Sequence, residues 1–203
     1  MRQFKARKEP PQGPAMRKLI VSEFLTLDGV MEAPGGEPGH PHSGWVFKFM
    51  GPEQLQYKLQ ETLEAESLLI GRVTYESFAG AWPMRDGEFA DKMNAMPKQV
   101  VSTTLKKPAW NNCKVIDHDV IGAVAKLKQG DGGPILVAGS RTLVHTLLPA
   151  NLIDELRLMI FPVILGGGRR LFPESPDQTV LRLIDTRAFP TGVVVQTYQA
   201  GTG

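Results

Sequence analysis

Two glycine-bearing segments stand where an apolar run stops and carry residue types suited to an anionic ligand. The first is Gly71-Arg72-Val73-Thr74, directly after the apolar run Ser67–Ile70. A strand, a glycine turn and a helix N-terminus in succession leave backbone N–H groups unpaired and aimed at one place, where a phosphate is the natural guest. Arg72 adds a fork of donors matched to phosphate, and the Thr74 hydroxyl either donates to that ligand or caps the helix. The second, Ala138-Gly139-Ser140-Arg141-Thr142, repeats the same physics after the apolar run from Pro134, at the kind of strand end where open α/β sheets bind ligands. Ser102-Thr103-Thr104 with Lys106 follows a third apolar run and suits a ribose 2′-phosphate, or is a polar strand exit. Each segment alone also reads as an ordinary turn. Two anion-competent joints in one small sheet suit a dinucleotide, although the G-x-G-x-x-G fingerprint is absent.

A further glycine cluster, Leu165-Gly166-Gly167-Gly168-Arg169-Arg170, permits close backbone approach to a phosphate or heterocycle and reads equally as a flexible hairpin loop. Asp28, beside Gly29, either relays a proton and orients a substrate or makes an Asx-type turn. Trp45, Phe47 and Phe49 alternate as core or lid packing, or as a wall for a flat ring. His40 and His42 lie two apart in a loop and read as solvated rather than as metal ligands, so no metal site is expected. H-x-E with P-C-x-x-C, the P-loop and the G-x-S-x-G elbow are all absent, which excludes a zinc nucleobase deaminase and argues against the other two chemistries.

The elements that position these groups follow from periodicity and turn chemistry. Lys18–Thr26 is a branched, aromatic-rich run ending at Asp28-Gly29 and reads as a central buried strand. Asp28–Gly44, dense in glycine and proline, predicts no regular element, and long loops of this kind are usually functional. Pro52 suits the first helical position, with Leu55, Leu59 and Leu63 following at helical spacing up to about Glu66. Short strands at Ser67–Ile70, Gln99–Ser102, Lys114–Ile116 and Pro134–Ala138 alternate with helical patterns at Thr74–Ala79, Asp86–Met96, Ile121–Leu127 and from Gly139. Asp154–Leu165, Val180–Ala188 and Val193–Tyr198 then read as antiparallel strands. The reading is one α/β domain over residues 16–203, with helices on both faces of a mixed, mostly parallel sheet that ends in antiparallel C-terminal strands.

The chain has 203 residues, and its formal charge of +2 comes from the first fifteen, where Arg2, Lys5, Arg7 and Lys8 face only Glu9. The rest is slightly acidic, so a folded nucleic-acid surface is not expected. Residues 1–15 read as a disordered basic extension. The single cysteine, Cys113, excludes an intramolecular disulfide framework and suits a reduced cytoplasm. The longest apolar stretch, Leu158–Gly168, is too short to span a bilayer, so no membrane partner is expected.

Taken in order, Leu25-Thr26-Leu27-Asp28-Gly29, Ile70-Gly71-Arg72-Val73-Thr74-Tyr75-Glu76-Ser77, Lys98-Gln99-Val100-Val101-Ser102, Val137-Ala138-Gly139-Ser140 and Phe161-Pro162-Val163-Ile164-Leu165-Gly166-Gly167-Gly168 resemble the dihydrofolate reductase-like superfamily. Within it they are most similar to the reductase domain of the bifunctional riboflavin-biosynthesis deaminase/reductase. The resemblance implies a three-layer α/β/α sandwich and an NADPH-dependent reductase of a small heterocyclic or ribosylaminopyrimidine substrate, commonly a homodimer. It implies that Gly71, Arg72 and Thr74 meet cofactor phosphates, Ser102 and Thr103 the 2′-phosphate side, and Gly139, Ser140, Arg141 and Thr142 the pyrophosphate. Asp28 and Gly29 would sit where nicotinamide and substrate meet, and Trp45, Leu165, Gly166 and Gly167 would line the substrate pocket. Folate reductases place a carboxylate early in the helix after the long loop; the only acid in that turn here is Glu53, so Asp28 and Glu53 are the candidate catalytic acids. Two alternatives stay open, a dihydrofolate reductase and a non-catalytic NADP-binding module.

Overall fold

The computed structural model describes residues 16–172, 174 and 178–200; the basic extension expected over residues 1–15 lies outside them. The chain runs β1 (Leu19–Thr26), α1 (Pro52–Glu64), β2 (Ser67–Gly71), α2 (Arg72–Ala81), α3 (Glu88–Ala95), β3 (Lys98–Val101), β4 (Cys113–Ile116), α4 (Val120–Gln129), β5 (Ile135–Ala138), α5 (Arg141–Leu147), β6 (Glu155–Phe161), β7 (Leu181–Ala188) and β8 (Val194–Ala200). These strands form one sheet in the order β4-β3-β2-β5-β1-β6-β8-β7. All neighbours from β4 to β6 are parallel, and β8 and β7 add antiparallel edges, as expected from the sequence.

The central strands are apolar on both sides because helices cover both faces. Leu19, Val21 and Leu25 of β1 pack with Ile135 and Val137 of β5 under α4 and α5. Ile20, Leu68, Ile70 and Leu136 face the other way, against Tyr75 and Phe78 of α2 and Met93 of α3. The underside of α1 is polar instead: its buried residues are Gln54, Glu61 and Thr62. Ser22 Oγ donates to Glu61 Oε2 at 2.8 Å, Lys58 Nζ donates to Ser22 Oγ at 2.7 Å and pairs with Glu61, and Arg157 Nη1 lies 3.6 Å from Glu61.

Two boundaries differ from the sequence reading. The strand expected to reach Leu165 ends at Phe161, because Pro162 has no N–H for a ladder; beyond it Leu27 N–H donates to the Val163 carbonyl at 2.9 Å, which ties the next segment to the exit of β1. Trp45 and Phe47 fall on a 3-10 turn, Trp45–Lys48, with Phe49 just past its end, so that Trp45 and Val46 turn inward while Phe47 stays exposed.

The sheet also has a gap at its centre. Pairing between β1 and β5 stops at Ser22↔Ala138, whereas β1 continues beside β6 as far as Thr26↔Phe161. Past Ser22, β1 therefore has a strand neighbour on one side only.

Candidate functional site

The exits of β2 and β5 are adjacent, and their two turns are locked together through one hydroxyl. Ser140 Oγ accepts the Gly71 N–H at 2.7 Å and donates to Thr74 Oγ1 at 3.0 Å. Gly139 and Ser140 both take left-handed backbone, with φ of 60° and 73°. A Cβ on Gly139 would stand 2.8 Å from Thr74 Oγ1, so the close approach of the two turns requires glycine there. Ser140 pays for its uncommon conformation with these two hydrogen bonds. The start of α2 and the Gly139-Ser140 turn thus form one cradle rich in backbone donors, suited to a phosphate-bearing ligand.

Gly71 pairs with Val101 across β2 and β3, which puts Ser102 and Thr103 on the same rim. Ser102 is buried and its hydroxyl accepts the N–H groups of Thr104 at 3.2 Å and Leu105 at 2.9 Å, so it shapes its own turn; Thr103 is exposed, and Lys106 Nζ donates to its carbonyl at 3.1 Å. Arg72 is half-exposed and bonds Glu76 at 2.7 and 2.9 Å. An arginine expected to be held for a ligand is here paired to a carboxylate that a phosphate would have to displace. Arg141 Nε donates to the Arg170 carbonyl at 2.7 Å, while Thr142 is exposed on α5.

On the opposite bank, the exit of β1 grips the glycine loop. Asp28 Oδ1 accepts the Thr26 hydroxyl at 2.6 Å and the Leu165 N–H at 3.3 Å, and Oδ2 accepts the Gly166 N–H at 2.9 Å. The Thr26 hydroxyl and these backbone donors hold the carboxyl below the ordinary aspartate value. Such a carboxylate stays ionised and committed, which makes it a poor proton relay and a good staple. The loop arginines are also engaged: Arg170 Nε donates to the Asp28 carbonyl at 2.9 Å, and Arg169 Nε lies 3.4 Å from Glu32 Oε1. Gly168 packs on Val30, where a Cβ would approach within 2.7 Å. Gly166 and Gly167 remain exposed, whereas Leu165 leans on the Trp45 and Phe161 cluster.

Two expected site residues are placed elsewhere. Trp45 is only 4% exposed, edge-on to Phe161 at 5.3 Å, with its indole N–H on the Glu32 carbonyl at 2.8 Å. It is a core group and not a wall for a ligand ring. Glu53 is exposed on the outer side of α1, because the inward position of the first turn belongs to Gln54, 1% exposed. Gln54 closes the N-terminus of α1 by accepting the Gly51 N–H at 3.2 Å and donating to the Phe49 carbonyl at 3.1 Å and to Thr191 Oγ1. The inward-facing residue of that turn is therefore an uncharged amide committed to the α1 N-terminus, and Glu53 faces away from the core.

Sequence reasoning passed over a buried acid on β1. Glu23 on β1 is the first residue beyond the last β1–β5 pair, 4% exposed, and its Oε1 has no hydrogen-bond partner. Burial pushes its carboxyl well above the ordinary range, opposed by the nearby Lys58 and Gly139 amide. The available signal was one acid inside an apolar strand read as buried on both faces. On the α1 side of the same gap, Lys58 Nζ sits 5.3 Å from the centre of the Phe24 ring. Among the described residues there is no group of three or more His, Cys, Asp or Glu able to hold a metal ion, and no helix long and apolar enough to cross a membrane.

This architecture has close counterparts. The uncharacterized proteins YyaP and YwjB of Bacillus subtilis are each 28% identical to this chain, over 90% and 87% of it and 94% and 95% of their own lengths. Among solved structures, one described as a putative riboflavin biosynthesis protein from Shewanella superposes with a TM-score of 0.71 at 20% identity, covering 91% of this chain and 99% of the other. Another, a pyrimidine reductase-like protein from Corynebacterium diphtheriae, gives 0.62 at 13% identity over 92% and 93%. At those identities the likeness is one of fold, the dihydrofolate reductase-like sandwich anticipated above. The family model of the RibD C-terminal domain matches residues 17–195, which takes in both banks of the gap and the whole cradle, and the chain belongs to that family.

Proposed function

We propose that this chain is an NADPH-dependent reductase acting on a C=N or C=O bond of a small heterocyclic or ribosylaminopyrimidine-type substrate. The observation that carries the reading is the pair of turns locked by Ser140 at the exits of β2 and β5, open toward the gap between β5 and β1. Those turns suit a pyrophosphate, since they combine backbone donors with the α2 N-terminus, and the neighbouring Ser102–Lys106 rim is the segment we assign to an adenosine 2′-phosphate. Membership in the RibD C-terminal domain family and the fold shared with a putative riboflavin biosynthesis protein and a pyrimidine reductase-like protein support the substrate class.

When bound, NADPH supplies the hydride. The chain supplies position, a dry setting and a proton. Asp28 holds Leu165–Gly166 against the β1 exit, which gives the substrate side of the cleft a fixed rim. Lys58 Nζ, held by Ser22 and Glu61 on the α1 side of the gap, is the donor we assign to the heteroatom left electron-rich when hydride reaches carbon.

The test is a fluorescence titration of NADPH and NADH against the wild type and Ser140→Ala, followed by NADPH consumption with 7,8-dihydrofolate and with a phosphoribosylaminopyrimidine. Saturable binding that favours NADPH, weakened about tenfold in the variant through loss of the two serine bonds, is the expected result. Oxidation driven by dihydrofolate alone would move the substrate to pterins. Failure to bind either nucleotide would refute the proposal.

A further inference from the structure

Glu23 stands at the head of the central gap with its counterpart Gly139 on the other bank, since each is the residue next to the final Ser22↔Ala138 pair. Glu23 therefore adjoins the Gly139-Ser140 turn and, through it, the phosphate cradle. The neighbours on its face of β1, Val21 and Leu25, belong to the apolar core. An unpartnered carboxyl oxygen in such surroundings is costly, and a leucine would cost less if packing were the only duty of this position. Burial favours the protonated form of the carboxyl, which presents an O–H donor beside a carbonyl acceptor. A carboxamide presents the complementary pair, an N–H beside a C=O. A nicotinamide tethered to a pyrophosphate in the cradle has the gap as its adjoining space.

We propose that Glu23 is the residue that recognises the carboxamide of the reduced nicotinamide and so orients the ring in the gap between β1 and β5, an inference that rests on the NADPH reading above. Its role is in binding, and it is visible without any substrate.

The experiment titrates three probes, NADPH, its reduced 3-acetylpyridine analogue and adenosine 2′,5′-bisphosphate, against the wild type, Glu23→Leu and Glu23→Gln, with a thermal melt of each protein. Glu23→Leu should weaken NADPH about tenfold while leaving the bisphosphate within about twofold, because only the nicotinamide half loses a partner. Glu23→Gln, which keeps a donor beside an acceptor, should hold NADPH within about threefold. The wild type should prefer NADPH to the acetylpyridine analogue by about tenfold. Equal binding of NADPH by the wild type and Glu23→Leu overturns the inference, as does equal weakening of NADPH and bisphosphate, which would make Glu23 a support of the Gly139 turn. If Glu23→Leu does not fold, the preference for NADPH over the analogue decides, and its absence overturns the inference. A wild type that binds neither NADPH nor the bisphosphate refutes the reductase reading itself.

Discussion

Gly139→Ala tests whether the two turns are joined as described. The substitution forces a side chain into φ +60° and sets its Cβ 2.8 Å from Thr74 Oγ1 and 3.0 Å from Thr74 Cγ2. Left-handed backbone costs a non-glycine residue about 1 kcal/mol. Thr74 must then turn away, which costs about 1 kcal/mol as its bond from Ser140 breaks, with a further fraction for a poorer rotamer. The sum is about 2–3 kcal/mol, and at about 2–4 °C per kcal/mol for a chain of this size the melting temperature should fall about 5–10 °C. Thr74→Ala removes both colliding atoms and by itself costs about 1 kcal/mol, the bond to Ser140. The double variant should therefore be more stable than the two single losses predict, with a coupling of about 1.5 kcal/mol in thermal or denaturant unfolding. A Gly139→Ala protein that melts with the wild type, or a double variant that is simply additive, would refute the close approach of the turns.

Two further perturbations address the banks of the cleft. Glu76→Gln should leave the melting temperature within about 1 °C, because an exposed i,i+4 pair contributes only a few tenths of a kcal/mol, yet tighten NADPH about twofold to threefold at low salt by releasing Arg72; unchanged affinity would mean that Arg72 does not face the phosphates. Asp28→Asn concerns the acid limb of stability. A depressed carboxylate contributes stability above its unfolded value near 3.8 and loses it as pH falls through the lower folded value, so the wild-type melting temperature should drop in that window. The variant should start about 1–2 kcal/mol less stable at neutral pH and lack that drop, and an identical acid profile in both proteins would remove Asp28 from the role of staple.

Much of the architecture was legible because local rules agree with the fold. Pro52 marks the start of α1, the apolar runs at Ser67 and Pro134 become β2 and β5, and the glycines that end those runs lead into α2 and α5. The candidate phosphate cradle was readable for the same reason, since a strand exit followed by a helix start is a local pattern. The acids were not. Glu53 and Gln54 differ by one position on a helix, which is about 100° of rotation, and composition does not say which of them faces the sheet. Glu23 was hidden inside a run that reads as core, and Trp45 points inward only because the Gly44 turn, at φ 78°, delivers it there.

The sequence by itself determined which elements form, the antiparallel ending, and the presence of two donor-rich turns, because hydrophobic period, proline and glycine act over a few residues. Tertiary structure alone decided that β2 and β5 are neighbours, that one serine hydroxyl joins their turns, that Asp28 is consumed by Thr26, Leu165 and Gly166, and that a buried acid stands where β1 and β5 part. Those facts depend on strand order and, for the joined turns and the Asp28 contacts with Leu165 and Gly166, on partners 66 to 138 residues apart, and such contacts arise only when the whole sheet buries both of its faces.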